Sequence, residues 1–322
     1  MRLSLRMMTG GVLAAASFAA AAQGFPNKPV RIVVPFPPGG GVDIIARLVG
    51  PKLAREYGQQ VIVENRAGAA GIIGTEYVAR AAPDGYTWAI ATLGNLAVNK
   101  HLYSTMTVDP LRDLAPVTHV VDVHFVMVAH PSLPAKSVRQ LIALAKSRPG
   151  EITFSSSGAG GAPHLGGELF NRLAGVKITH VPYKGSGPSF ADLLGGHVSL
   201  TYDSMLQSLP YIRDRKLNAL GVLGAKRAAQ LPEVPTIAEQ GVTGYELTNW
   251  FGLVVPAATP KDVVKRIHDD FTRALQDKET REKIAAMGAD VVANQPDQFG
   301  KFWRAESDKW ARVIKEANIK AN

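Results

Sequence analysis

Cysteine is absent from the chain. That excludes a disulfide scaffold, thiol catalysis, iron–sulfur clusters and Cys-ligated zinc. Charged residues are sparse at 20%, and no run of five like charges or basic stripe with interleaved aromatics occurs, so the footprint of a nucleic-acid binder is missing. Beyond the N-terminus no stretch is long and apolar enough to span a bilayer. Several motifs are also lacking. The Gly-rich segment at residues 39–41 has no Gly-Lys-Ser/Thr after it and no spaced glycines of a dinucleotide fingerprint. No Gly-x-Ser-x-Gly elbow occurs, nor any His-Glu-x-x-His zinc motif.

What remains is a chain of 322 residues, 46% hydrophobic, with 36 Lys+Arg against 27 Asp+Glu and a net charge of +9. Its length fits one or two domains, and its apolar content is that of a globular protein. Residues 1–22 (MRLSLRMMTGGVLAAASFAAAA) join Arg2 and Arg6 to an uncharged run ending in Ala20-Ala21-Ala22. This is the layout of a secretory signal peptide cleaved near Ala22; a membrane anchor would need a longer apolar run. Its removal leaves a charge of +7 and an exported, periplasmic protein.

Strand and helix signals alternate throughout. Pro29–Phe36 reads as a buried strand, Asp43 opens a helix closed by Gly58, Val61–Glu64 is a strand, and 72–82 is a helix. Tyr86–Thr92, Ile152–Ser155, Ile178–Val181, Val198–Tyr202 and Leu217–Val222 continue the strand pattern. The alternation predicts an α/β fold with largely parallel sheets. Phe125–Pro131 and Phe251–Pro256 are each an apolar strand followed by a Pro-bearing turn and an amphipathic helix. They are either unrelated units or the pair that carries the chain out of one lobe and back. The second reading divides the mature chain into lobe 1 (23–123 plus 251–322) and lobe 2 (124–250), with the C-terminal helix able to pack across onto lobe 2. A cleft would lie between the lobes, where ligands are preferred.

Four strand-to-helix loops are rich in small residues: Phe36-Pro37-Pro38-Gly39-Gly40-Gly41, Gly68-Ala69-Ala70-Gly71, Ser155-Ser156-Ser157-Gly158-Ala159-Gly160-Gly161, and Pro182-Tyr183-Lys184-Gly185-Ser186. Glycine lets a ligand approach the backbone, and free N–H groups at helix starts attract anions. Ligands of open α/β sheets collect at such carboxyl ends. Individual polar residues have plainer readings. Asp43 reads as an N-cap. Asp203 either lines the cleft or caps the next helix. His164 reads as a hydrogen-bonding residue at a helix start, and His119 and His124 as structural. Leu93-Gly94-Asn95 is a candidate for contacts to the distal end of a ligand. A secreted hydrolase or lyase using Ser157, His164 or Asp203, and a purely structural envelope component, are the competing readings.

The segments KPVRIVVPFPPGGGVDIIAR, VENRAGAAGIIGTEYVARAAPDGYT, ITFSSSGAGGAPHLGGELF, HVPYKGSGPSFADLLGGHV and LPEVPTIAEQGVTGYE resemble, in order, the extracytoplasmic solute receptors of tripartite tricarboxylate transporters, whose abundant branch is the Bug receptors. The likeness runs from about Phe25 to the C-terminus. It implies a type II periplasmic-binding-protein fold, two α/β lobes joined by two crossing strands, without catalysis, cofactor or metal. It implies a monomer that closes on a small carboxylate and delivers it to the membrane permease subunits. The ligand-binding residues it implies are Phe36, Pro38, Gly39 and Gly40 on the first loop and Ala69 and Ala70 on the second. On the Ser/Gly-rich loop they are Ser156, Ser157, Gly160 and His164, with Tyr183, Lys184 and Asp203 on the cleft wall. Part of that grip passes through ordered water. One departure stands out: Ala162 replaces a Thr that family members often carry before the Pro-His pair.

Overall fold

The structure, a computed structural model, describes residues 25–316. The segment read as an export signal lies outside the described residues. Among the described residues no helix is long and apolar enough to cross a membrane.

The chain begins with β1 (Val30–Val34), α1 (Gly41–Tyr57), β2 (Val61–Asn65), α2 (Ile72–Ala79) and β3 (Thr87–Thr92). Val30, Ile32, Val33 and Val34 are fully buried, as expected of a strand covered on both faces. α2 stops at Ala79 rather than at 82: Pro83 has no N–H to continue the ladder and disfavours helix in the residue before it. A wide helical turn, Gly94–Val98, leads through α3 (Asn99–Leu102) and α4 (Pro110–Asp113) to the long β4 (Leu114–Val123).

One residue, His124, separates β4 from β5 (Phe125–Ala129). From there the chain builds α5 (Val138–Ser147), β6 (Thr153–Ser156), α6 (Ala162–Ala174), β7 (Thr179–Pro182), α7 (Ser186–Leu194), β8 (Leu200–Ser204), α8 (Met205–Arg213) and β9 (Asn218–Val222). Leu247 still bonds to Leu223, and two residues later β10 (Asn249–Pro256) begins. The chain ends with α9 (Lys261–Gln276), α10 (Lys278–Ala286), β11 (Ala289–Val291) and α11 (Pro296–Glu316).

Two sheets result, ordered β11-β4-β10-β3-β1-β2 and β7-β6-β8-β5-β9. Each is the centre of one α/β lobe, and the chain passes between them twice, at His124 and just before Asn249. The sheets are mixed rather than largely parallel. β10 runs antiparallel to both β3 and β4, and β5 antiparallel to both β8 and β9. Strand direction follows from where the chain re-enters a sheet, and both re-entries come from the neighbouring lobe, not over a helical crossover. α11 packs on the first sheet rather than across onto the second lobe: Trp303 Nε1 donates to Leu96 O at 2.8 Å, and His101 Nε2 lies 3.0 Å from Ser307 Oγ.

Candidate ligand site between the lobes

The first loop leaves β1 and enters α1, whose N-cap is Gly40. Asp43 is not the cap residue. It sits on the first turn and reaches back: its carboxylate accepts from Gly39 N (3.0 Å), Arg47 Nε (2.9 Å) and Asn65 Nδ2 (2.9 Å). Burial pushes its pKa up, but these bonds from Arg47, Gly39 and Asn65 outweigh it and hold the group below its ordinary value. Asp43 therefore clamps the loop from behind. The N–H groups of Gly41 and Val42, in the first turn of α1, are left for whatever lies in front.

The second loop is held by carboxamides. Ala69 and Ala70 have positive φ (46° and 53°), a conformation that costs an L-residue about 1 kcal/mol or more. Asn95 Nδ2 and Asn99 Nδ2 both donate to Ala70 O, at 2.9 and 3.1 Å. Asn95 Oδ1 in turn accepts from Thr92 N and Oγ1. Asn95 is therefore a buried staple, and Leu93-Gly94-Asn95 stands behind the cavity rather than in its lining; only the adjacent Thr92 reaches it.

The Ser/Gly loop enters α6, capped by Gly161. Ser156 and His164 lie beneath it. Ser156 Oγ accepts from Gly158 N and meets His180 Nε2 at 2.6 Å. His164 Nδ1 accepts from Gly160 N at 3.0 Å, and the two imidazoles stack with centroids 4.1 Å apart. Burial pushes the His164 pKa down to about 4, and burial together with the neighbouring His164 pushes His180 down to about 3. Both rings are neutral supports at neutral pH. His164 has its Nδ1 committed to the backbone, so it is not poised as a base toward Ser157, and among the described residues no Ser-His-Asp relay is assembled.

These loops come from opposite lobes and meet. One cavity, about 60 Å³, is lined by Phe36, Gly40 and Gly41 of the first lobe and by Ser157, Gly161 and Ala162 of the second. Its floor is made where the chain crosses between the lobes: Phe125, Asn249 and Phe251, beside Asp203, Ser204 and Ser186. Among the described residues no Lys or Arg belongs to this lining. An adjoining chamber shares Phe36 and Ser157 and is lined by Ala69, Ala70, Tyr183 and Lys184. Pro38 and Gly39 are exposed and lie in neither lining. Gly160 touches the other lobe instead, since a Cβ there would come within 2.9 Å of Leu102. Tyr183 turns its hydroxyl to Asp192 (2.6 Å); burial and that carboxylate push its pKa up to about 12.

Asp203 is 3% exposed. Its Oδ1 accepts from Ser204 N at 2.6 Å, while Oδ2 has no hydrogen-bond partner among the described residues. Burial raises its pKa to about 6, against the pull of the Ser204 amide and the nearby Ser186 and Ser204 hydroxyls. It is not the cap of α8, a position held by Ser204. Asn249, also buried, has an unpartnered Oδ1. Asn249, Phe125 and Phe251 were not singled out in the sequence. The signal for them was their place at the two crossings, because strands that join two lobes must run along the floor of the cleft.

The model of the tripartite tricarboxylate transporter family receptor matches residues 45–319. The chain belongs to this family. BugT of Bordetella pertussis is 40% identical over 319 residues, 99% of this chain and 97% of that protein. Among solved structures, a Rhodopseudomonas palustris protein with adipate is 38% identical, with a TM-score of 0.89 over 92% of this chain and 99% of that one. The periplasmic binding protein BugD gives 0.88 at 33% identity, covering 92% and 99%. MatC from Rhodopseudomonas palustris with bound malate gives 0.86 at 30% identity, covering 90% and 100%. The tripartite tricarboxylate transporter receptor described here is accordingly a periplasmic solute-binding protein, not a hydrolase or lyase.

Proposed function

We propose that this receptor captures a small organic carboxylate between its lobes and hands it to the membrane subunits of a tripartite transporter. It would be exported through residues 1–22, cleaved near Ala22, and work as a monomer with lobe 1 formed by 23–123 and 251–322 and lobe 2 by 124–250. The carrying observation is that Gly40 and Gly41 share one cavity with Ser157 and Gly161, at the N-termini of two long helices. Backbone N–H groups and hydroxyls at helix starts hold a carboxylate without a fixed cation. The neighbouring structures with adipate and with malate support the same class.

In this reading the acid docks on one loop and the second lobe closes over it. Closure is favoured only by contacts the ligand makes better in the closed state. The direct ligand contacts are Phe36, Gly40, Gly41, Ser157, Gly161 and Asp203. Ser156, His164 and Gly160 keep the loop in shape, and Ala69, Ala70, Tyr183 and Lys184 belong to the outer chamber. Ala162 places a methyl group on the wall where a hydroxyl is common, which favours ligands with an apolar flank there.

The test is a thermal-shift screen of mono-, di- and tricarboxylates against neutral sugars and amines. A true ligand at about a hundred times its Kd adds about 2.7 kcal/mol to stability. The bound compound is then recovered by mass spectrometry and should be chemically unchanged. Stabilisation by sugars or amines alone, or steady conversion of the acid, would overturn the proposal.

A further inference from the structure

The cavity holds two buried polar atoms that no hydrogen bond reaches among the described residues: Asp203 Oδ2, with the Ser186 and Ser204 hydroxyls near its carboxylate, and Asn249 Oδ1. A buried carboxylate oxygen without a partner is costly, and native proteins avoid it unless something completes the site. Both residues face the same space, lined otherwise by Phe36, Phe125 and Phe251 and by small residues. Among the described residues no cation belongs to that lining. An ionised Asp203 beside a buried dicarboxylate would put three negative charges together with nothing opposite to balance them. One proton resolves this.

We propose that Asp203 is the specificity-determining residue of the site, selecting dicarboxylates by donating a hydrogen bond from its neutral acid form to the second carboxylate of the ligand, with Asn249 beside it. This rests on the carboxylate-capture reading above. The proton comes from solvent on binding and stays on Asp203, shared across an O–H···O⁻ contact of the short, charge-assisted kind.

The surroundings permit it. β5 and β6, which flank Asp203 on the sheet, carry no titratable residue. α6 brings His164, Glu168 and Arg172, α7 brings Asp192, and α8 brings Tyr211 and Arg213. From the other lobe, β10 brings none and the start of α1 brings Asp43. None of these belongs to the cavity lining. His164 is held neutral by burial, Asp43 is paired with Arg47, and Asp192 is bonded to Tyr183. Burial, with no charged neighbour contributing, is what raises the pKa of Asp203 to about 6.

The experiment is calorimetric titration of the mature receptor with succinate, malate and adipate, with butyrate and hexanoate, and with aspartate and glutamate, between pH 5 and 8. Dicarboxylates should bind best near pH 5. Because only the protonated site binds them, affinity should fall about tenfold per pH unit above pH 6, and buffers of different ionisation heat should report uptake of close to one proton at pH 7–8. Asp203→Asn, a permanent donor, should bind dicarboxylates at pH 8 about as tightly as the wild type does at pH 5, without pH dependence. Asp203→Ala should lose at least tenfold at pH 5 while its circular dichroism and melting cooperativity stay native. Binding confined to monocarboxylates or amino acids would overturn this inference and leave carboxylate capture standing. So would dicarboxylate binding that is independent of pH, or that Asp203→Asn abolishes. Absence of any carboxylate binding would overturn both.

Discussion

At Gly40 the backbone has φ −82° and ψ 167°, a conformation any residue adopts, and a Cβ placed there meets nothing within 4 Å. The glycine is therefore not required by the turn. It keeps empty the space that a ligand would fill. Gly40→Leu should fold normally, with a melting temperature close to that of the wild type, and should lose carboxylate binding by at least a hundredfold because the side chain occupies the cavity. Unimpaired binding by a folded Gly40→Leu variant would move the ligand away from the first loop. Gly39 is different: its φ of +90° and its N–H bond to Asp43 make it a structural glycine. Two neighbouring glycines in one loop thus have distinct reasons, which the letters GGG alone do not separate.

At the scale of elements, the first three loops are held by polar side chains that reach across them, Asp43 in the first, Asn95 and Asn99 in the second, Ser156 and His164 in the third, and these determine the geometry more than the glycines do. Asn95 is the clearest case, because its carboxamide joins the strand end at Thr92 to the strained carbonyl at Ala70. Asn95→Ala leaves Thr92 N and Oγ1 without their acceptor and Ala70 O held by Asn99 alone, at a cost of about 1–3 kcal/mol. Ala69 and Ala70 would then relax out of positive φ. Denaturant unfolding should show the loss, and hydrogen exchange should rise at residues 68–72 before anywhere else. A uniform rise in exchange would refute the local staple. Much of this level was legible in advance. The alternation of apolar runs with amphipathic segments gave the order of strands and helices, and Gly, Ser and Pro clusters at strand ends marked the four loops. The supports were not legible. Asp43 looks like a cap because Asp near a helix start usually is one, yet it serves a residue four positions earlier. His164 and His180 sit 16 residues apart and stack only because β6 and β7 pair. The orphaned Oδ2 of Asp203 depends on which side chains the second lobe brings past it, and no local pattern encodes that.

For the whole molecule, the two lobes touch at glycines, at a tyrosine and at Gln230, whose Nε2 donates to Ala285 O at 2.6 Å. Tyr103 Oη of the first lobe donates to Ala159 O of the second at 2.6 Å. A Cβ on Gly94 would stand 3.2 Å from Gly160 O and 3.4 Å from Gly161 Cα, both across the cleft. On its own lobe Gly94 has an ordinary neighbour, Thr92 Oγ1 at 3.5 Å. A larger residue at 94 therefore raises the energy of the closed arrangement while leaving the open one nearly unchanged. In a two-state equilibrium that difference subtracts directly from apparent affinity, since binding draws on the closed population. Gly94→Val should keep the unfolding free energy of the ligand-free protein within about 1 kcal/mol of wild type, because the crowding is absent when the lobes are apart. Its affinity for any ligand should fall tenfold or more. Small-angle X-ray scattering should show the wild type contracting on saturation with ligand and the Val variant failing to contract. Normal contraction together with normal affinity in Gly94→Val would mean that the lobes do not close along this seam, and the cavity would then have to be filled without the hinge motion.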